Sequence, residues 1–176
     1  MKKIAAAIPF MAGRRFVRSI STILFLVLMF EAMPVNQRMR ADNTAHPAPF
    51  DQDWSNTMLI ATNNDWSGVP AITGYQGENL VSSAGVDPQT ITADGSTTTV
   101  NVLANRLNPD TLTTGGVAEF DGIADPTVAL QGSGTARAPH IVINLNTTGQ
   151  TDITISYKLR DIDGSADNAV QPVALQ

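Results

Sequence analysis

Apolar and polar residues alternate along much of the chain, and this pattern predicts β-strands. The clearest case is residues 152–160 (DITISYKLR), where every second residue is apolar. Such alternation is typical of a half-buried antiparallel strand. Residues 140–146 alternate in the same way, and the polar segment 146–150 after them is rich in turn-forming residues. We therefore expect these two strands to form a hairpin.

Weaker strands are predicted on both sides of proline-containing turns. The turns are marked by Asp87-Pro88, Asn108-Pro109 and Asp125-Pro126, each of which joins a turn-forming side chain to a fixed φ. No helical period of useful length occurs after residue 41. The further strands are expected at residues 58–62, 90–93, 97–103, 117–120 and 127–131.

This sequence of strands predicts an all-β fold, an antiparallel β-sandwich of jelly-roll type. An immunoglobulin-like sandwich is the alternative, although its Cys–Trp–Cys pattern is missing. Val173 and Leu175 begin another alternating stretch close to the last residue, Gln176. We therefore expect the sandwich to be truncated at its C-terminus, with at least one more strand following.

The N-terminal residues have a different pattern, a basic segment followed by an uninterrupted apolar run. The run covers residues 20–30 (ISTILFLVLMF), which is 11 residues long. A membrane-spanning helix needs roughly 17–25 apolar residues, so the run is more typical of a signal peptide. We predict a signal-peptide helix within residues 1–41 and a protein that is secreted, extracellular or at the cell surface, in contact with the membrane only through this leader. An uncleaved anchor and a structural helix are the alternatives.

Charge changes sign at the end of the leader. Residues 1–41 have a net charge of +6, whereas residues 42–176 have a net charge of −11. We interpret residues 42–53 as a polar linker and residues 54–176 as the β-sandwich domain. The acidic domain argues against nucleic-acid binding, because phosphate contacts need clustered Lys and Arg. The chain has no cysteine, so no disulfide can stabilise it.

The segment around Gly164 is a candidate calcium site. Asp163 and Asp167 follow Asp161 by two and six residues. Calcium takes six to eight oxygen ligands, and closely spaced carboxylates on a bent loop supply several of them. The spacing departs from the EF-hand loop, and an acidic loop that only satisfies turn backbone is the alternative.

Trp66 lies in a polar loop, NNDWSGVP, after the first predicted strand. An exposed tryptophan there would stack on a sugar ring and make the domain a glycan-binding one. The alternative is a ring that folds back over the edge of the core.

No catalytic motif is present in the sequence. The two histidines, His46 and His140, have no acidic or nucleophilic neighbour in sequence, and Gly132-Ser133-Gly134 is not a nucleophile elbow. A pair of acids is not excluded, although nothing selects one. We therefore expect a non-catalytic chain.

Residues 59–175 resemble a bacterial protein region. The resemblance is carried by LIATNNDWSGVPAITGYQG, DPQTITADG, VLANRLNPDTLTTGGVAEFDGIADPTVALQGSGTA and INLNTTGQTDITISYKLRDIDGSADNAVQPVALQ. Together they resemble the N-terminal region of large secreted multidomain proteins. These include extracellular nucleases whose catalytic domain belongs to the endonuclease/exonuclease/phosphatase superfamily.

The resemblance implies export, a β-sandwich and an accessory role beside downstream domains of the same polypeptide. The nuclease's metal-binding and His/Asp residues belong to a later domain that this sequence lacks, so no catalytic residue is carried over. The alternative function is a carbohydrate-binding module with a calcium-stabilised sandwich.

Overall fold

The computed structural model describes residues 39–83, 85–91, 98–164 and 172–176. The chain divides into two compact units, Met1–Asn36 and Gln37–Gln176, and every described residue belongs to the second. The predicted leader therefore lies outside the described residues, except for residues 39–41. Within the described ranges, no helix is both long enough and apolar enough to cross a membrane.

Short strands dominate the described part of the chain, which contains no helix of seven or more residues. Two 3-10 helices, Pro88–Thr90 and Pro109–Thr111, begin at two of the predicted proline turns. The strands are β1 (His46–Pro47), β2 (Ile72–Tyr75), β3 (Leu103–Arg106), β4 (Gly116–Phe120), β5 (Thr127–Gln131), β6 (His140–Ile143) and β7 (Leu145–Asn146).

These strands form three small sheets. β4 lies between β3 and β5, parallel to β3 and antiparallel to β5, with Gly116 opposite Gln131 and Phe120 opposite Thr127. β2 and β6 are antiparallel, and β1 and β7 are parallel. The other edge of β2 is also used, because Asn101 N donates to Gly74 O at 2.9 Å.

Burial explains which strands are central. All residues of β2 and of β4 are buried, so both strands are covered on two faces. The core consists of Ile60, Trp66, Val69, Ile72, Val102 and Val117. Seven partly buried residues pack against it, namely Phe50, Trp54, Leu59, Val100, Ala104, Val128 and Ile141.

The all-β class is confirmed in this coarse form, and the strands at residues 117–120 and 127–131 are confirmed by β4 and β5. A closed jelly-roll sandwich is not shown by the three sheets. The strand predicted at residues 58–62 is wrong. Residues 57–59 form a turn there, Ile60 is part of the core, and Leu59 is partly buried against it.

The predicted hairpin of residues 140–146 with residues 152–160 is wrong as well. β6 instead pairs with β2, a strand about seventy residues earlier. The turn between the two predicted strands does form, with Gln150 N donating to Thr147 O at 3.0 Å. β2 is fully buried and Ile141 of β6 is partly buried against the core, and such long-range contacts are not specified by the local residue pattern.

Residues 42–53, predicted to be a linker, are packed on the domain. The hydroxyl group of Thr73 donates to the Asp42 carbonyl oxygen at 3.0 Å, and Phe50 packs against the core. The contact extends into the predicted leader, because Arg40 N donates to Asn64 O and Trp66 N donates to Arg40 O. A polar sequence indicated exposure here, but its backbone groups bond to the strands and turns beneath it.

Candidate functional site

Trp66 lies at the centre of the core. Its side chain is 0% exposed, and its indole N–H donates to Asn101 O at 3.0 Å. The Trp54 ring meets it edge-on, with ring centroids 6.4 Å apart. In this conformation the ring presents no surface to a sugar, so the structure favours the alternative interpretation, a tryptophan that folds back on the core.

The predicted calcium loop is described only in part, because Asp167 lies outside the described residues. Asp161 and Asp163 are exposed, and Asp163 N donates to Asp161 Oδ1 at 3.1 Å. Gly164 N donates to Asp110 Oδ1 at 2.7 Å, which brings a third carboxylate to the loop. Nothing in the sequence indicated that Asp110 approaches this loop, since the two segments are 54 residues apart.

Residues 152–160, the clearest strand pattern of the sequence, lie on the surface and form no strand. No ladder partner for them occurs among the described residues. The exposed fractions of the apolar side chains are 54% for Ile153, 56% for Ile155, 61% for Tyr157 and 65% for Leu159. We call these four side chains the apolar row.

The C-terminal end of this segment is tied to the domain. Arg160 Nη1 lies 3.5 Å from Asp125 Oδ2, and Arg160 Nη2 donates to the Asp125 carbonyl oxygen. Asp125 belongs to the connection between β4 and β5. The ion pair is exposed, so it positions the segment more than it stabilises the fold.

Glu119 is an acidic residue inside the β4 strand. Its side chain is only 5% exposed, and Glu119 Oε2 accepts from Asn105 N at 2.6 Å. Burial raises the pKa of Glu119 above its usual value of 4.5, the Asn105 bond opposes that shift, and the charge of Asp121 adds to it. The burial of Glu119 was not predicted from the strand pattern, because its partner Asn105 is 14 residues away in sequence.

A second polar group lies where β2 and β6 pair. His140 is opposite Tyr75 in the ladder, and the two rings stack with centroids 5.4 Å apart. Glu78 follows β2 by three residues, and its Oε1 accepts from Thr99 N at 2.9 Å and from Thr99 Oγ1 at 2.5 Å. His140 thus gains an acidic neighbour that is 62 residues away in sequence.

The pKa of Glu78 lies below its usual value of 4.5. Burial of the carboxylate raises this pKa, but the hydrogen bonds from Thr99 and the proximity of His140 together lower it by more. The carboxylate is therefore ionised at neutral pH.

An open cleft of about 530 Å³ adjoins this group. Its wall includes Arg137, whose guanidinium donates to Ser82 O at 2.6 Å and to Gly134 O at 3.2 Å. These bonds join the loop around Gly134 to the loop around Ser82. The lining residues are Gln76, Glu78, Asn79, Thr99, Gly134, Thr135 and Arg137.

Comparison with known proteins gives no family for this chain. No family model, no curated protein and no solved structure matches it.

Proposed function

We propose that this chain is a non-catalytic, secreted β-module that serves as the N-terminal accessory domain of a larger extracellular protein such as a secreted nuclease. The observation that carries the proposal is the apolar row of residues 152–160. A strand with one apolar face is stable when a neighbouring strand pairs with its backbone and another layer covers its side chains. We infer that further β-structure of the same polypeptide supplies both.

The free energy available from covering the apolar row is substantial. Ile153, Ile155, Tyr157 and Leu159 are between 54% and 65% exposed. Full burial of such a side chain contributes about 1.5–3 kcal/mol, so covering the exposed half of four of them contributes roughly 4 kcal/mol. A soluble domain stable by about 5–15 kcal/mol gains appreciably from such an addition.

The tethers at the end of the segment support the same proposal. Arg160 is joined to Asp125, and Gly164 is joined to Asp110. They hold the end of the segment beside the connection that leads into β5. A segment whose end is already held in place loses less conformational entropy when a partner pairs with it. The added strand would complete a sandwich from sheets that are small in the present chain.

Hydrogen exchange tests the proposal. We expect the amides of residues 152–160 to exchange at nearly unprotected rates in this chain and to become protected by at least a hundredfold in a longer product of the same gene. The DNA after codon 176 should continue the reading frame into another strand and a further domain. A stop codon at that point in an intact gene would refute the accessory role.

Substitutions in the strand test the role of the apolar row itself. The Ile155→Lys/Leu159→Lys variant should bind less of a hydrophobic dye than the parent chain, because it removes half of the row. The Thr154→Lys/Ser156→Lys variant adds the same charge on the other face and is the matched control. Equal dye binding by all three proteins would contradict an exposed apolar row.

The carbohydrate-binding alternative was predicted from Trp66, and the burial of that ring leaves none of its surface for a sugar to stack on. It stays a prediction that glycan-array binding can test. The calcium site likewise stays a prediction that chelation can test.

A further inference from the structure

β5 lies at the edge of its sheet. One side of β5 pairs with β4, and among the described residues no strand pairs with the other side. One face of β5 is also incompletely covered. Val128 packs against the core, whereas Leu130, two residues later and therefore on the same face, is 43% exposed. Leu130 is exposed although its ladder partner Val117 is fully buried, so the missing cover lies on the outer side of β5.

Residues 152–160 are attached to the domain beside the start of β5. Arg160 forms its ion pair and its hydrogen bond with Asp125, which precedes the first residue of β5 by two positions. β5 follows Asp125 in the chain, whereas the apolar row precedes Arg160. The row can therefore lie along β5 only if the two segments run in opposite directions.

We propose that residues 154–158 dock on the outer edge of β5 as an antiparallel strand, with Arg160 opposite Asp125. This places Lys158 opposite Thr127 and Thr154 opposite Gln131. The docked strand would extend the sheet of β3, β4 and β5 to four strands. It uses one edge of residues 152–160 and leaves the other edge for the further β-structure of the proposed function.

The register that follows from Arg160 and Asp125 matches the faces of the two strands. Ile155 comes opposite Leu130, and Tyr157 comes opposite Val128. Directly opposite residues of an antiparallel pair project from the same face, so the apolar row lies on the core face of β5 and covers the exposed Leu130. A slip by one residue would reverse both faces of the docked strand. The polar side chains of the segment come opposite the residues of the other face of β5, namely Thr127, Ala129 and Gln131.

The exposure of the apolar row explains why docking is incomplete in the present chain. Its four side chains remain more than half exposed, and residues 152–160 form no strand. Docking satisfies the backbone, but the apolar face is stable only when a second layer covers it. The docked form is therefore the minor one here, and it becomes the main one when the covering layer is present.

Disulfide trapping in the full chain, which has no cysteine of its own, tests the register. Opposite Cβ atoms in an antiparallel pair lie about 4.5–5.5 Å apart, close to the spacing that a disulfide spans. Because oxidation traps a minor form as it is visited, the Leu130→Cys/Ile155→Cys variant should form an intramolecular disulfide with diamide. The matched control is Leu130→Cys/Ser156→Cys, whose second thiol lies on the other face and should react about tenfold more slowly.

The ion pair is tested in the same assay. Adding Arg160→Gln to the Leu130→Cys/Ile155→Cys variant should slow disulfide formation, because the end of the segment is then no longer held at Asp125. Once the disulfide has formed, the amides of residues 154–158 should exchange about tenfold more slowly than in the reduced protein. Circular dichroism of the reduced variants checks that they are folded, and size-exclusion chromatography separates intramolecular from intermolecular disulfides.

Three results would overturn the proposal. They are the absence of a disulfide in the Leu130→Cys/Ile155→Cys variant, equal rates for the two cysteine pairs, and a disulfide that forms only between molecules. The last would indicate that the edge of β5 pairs with a second copy of the chain. A stop codon after residue 176 would refute the accessory role without changing any of these rates, so the two proposals fail independently.

Discussion

Replacing Trp66 separates a core role from a ligand-binding role. In the structure its side chain is 0% exposed and its N–H group is bonded to Asn101 O. Truncation of a buried tryptophan to alanine costs about 3–5 kcal/mol, through lost burial and the cavity that remains. The Trp66→Ala variant should therefore lose that amount of unfolding free energy, a large share of the total of about 5–15 kcal/mol expected for a domain.

Urea denaturation followed by circular dichroism measures the loss directly. In thermal unfolding, we expect the melting temperature of Trp66→Ala to fall by about 10–20 °C. Trp66→Phe keeps most of the ring and removes the N–H group, so it should cost about 1–3 kcal/mol, because the Asn101 carbonyl is left without that donor. Trp54→Ala is the control, a half-buried aromatic partner whose loss should be smaller. Near-parental stability of Trp66→Ala together with lost glycan binding would refute the core assignment.

Four further predictions concern other positions. Gly74→Ala should destabilise the fold by about 1–3 kcal/mol, because its Cβ would lie 2.4 Å from the buried indole ring. Gly134→Ala adds a Cβ atom that would meet no atom of a non-adjacent residue within 4 Å, so it should stay within about 0.5 kcal/mol of the parent in the same urea assay. Glu119 has a raised pKa, so the folded state holds its proton more tightly than the unfolded state does. The parent should lose stability relative to Glu119→Gln as the pH rises from 4.5, the usual value, through the raised pKa, and a pH-independent difference in urea titrations would contradict this. For calcium, chelation should lower the melting temperature of the parent but not that of the Asp161→Ala/Asp163→Ala variant. An ion at a hundredfold excess over Kd stabilises the folded state by about 2.7 kcal/mol, and chelation removes this stabilisation. No shift with EDTA would exclude that site.

The sequence alone predicted those features that depend on neighbouring residues. The strands β4 and β5 lie where the residue pattern placed them, and Asp87-Pro88 and Asn108-Pro109 begin 3-10 helices through side chains that accept from the second amide ahead. Alternation and turn chemistry act over a few residues, so one sequence contains all the information they need.

Pairing was decided by the tertiary structure. Residues 152–160 have a better strand pattern than β2, yet β2 is fully buried and pairs with β6. An alternating pattern predicts that one face of a strand is buried, but it does not identify the residues that bury it. Residues 152–160 have the strongest alternation of apolar and polar residues, and yet their apolar side chains are exposed.

The candidate sites show the same division. Trp66 was a candidate ligand-binding residue because it lies in a polar loop, but its ring lies in the core. Nor did the sequence indicate that His140 lowers the pKa of Glu78, which is 62 residues distant. Composition and local pattern determined that this protein is built from strands and turns. Only the packing of distant segments determined which polar groups were buried together, because burial depends on every residue that covers a position and not on its neighbours in sequence.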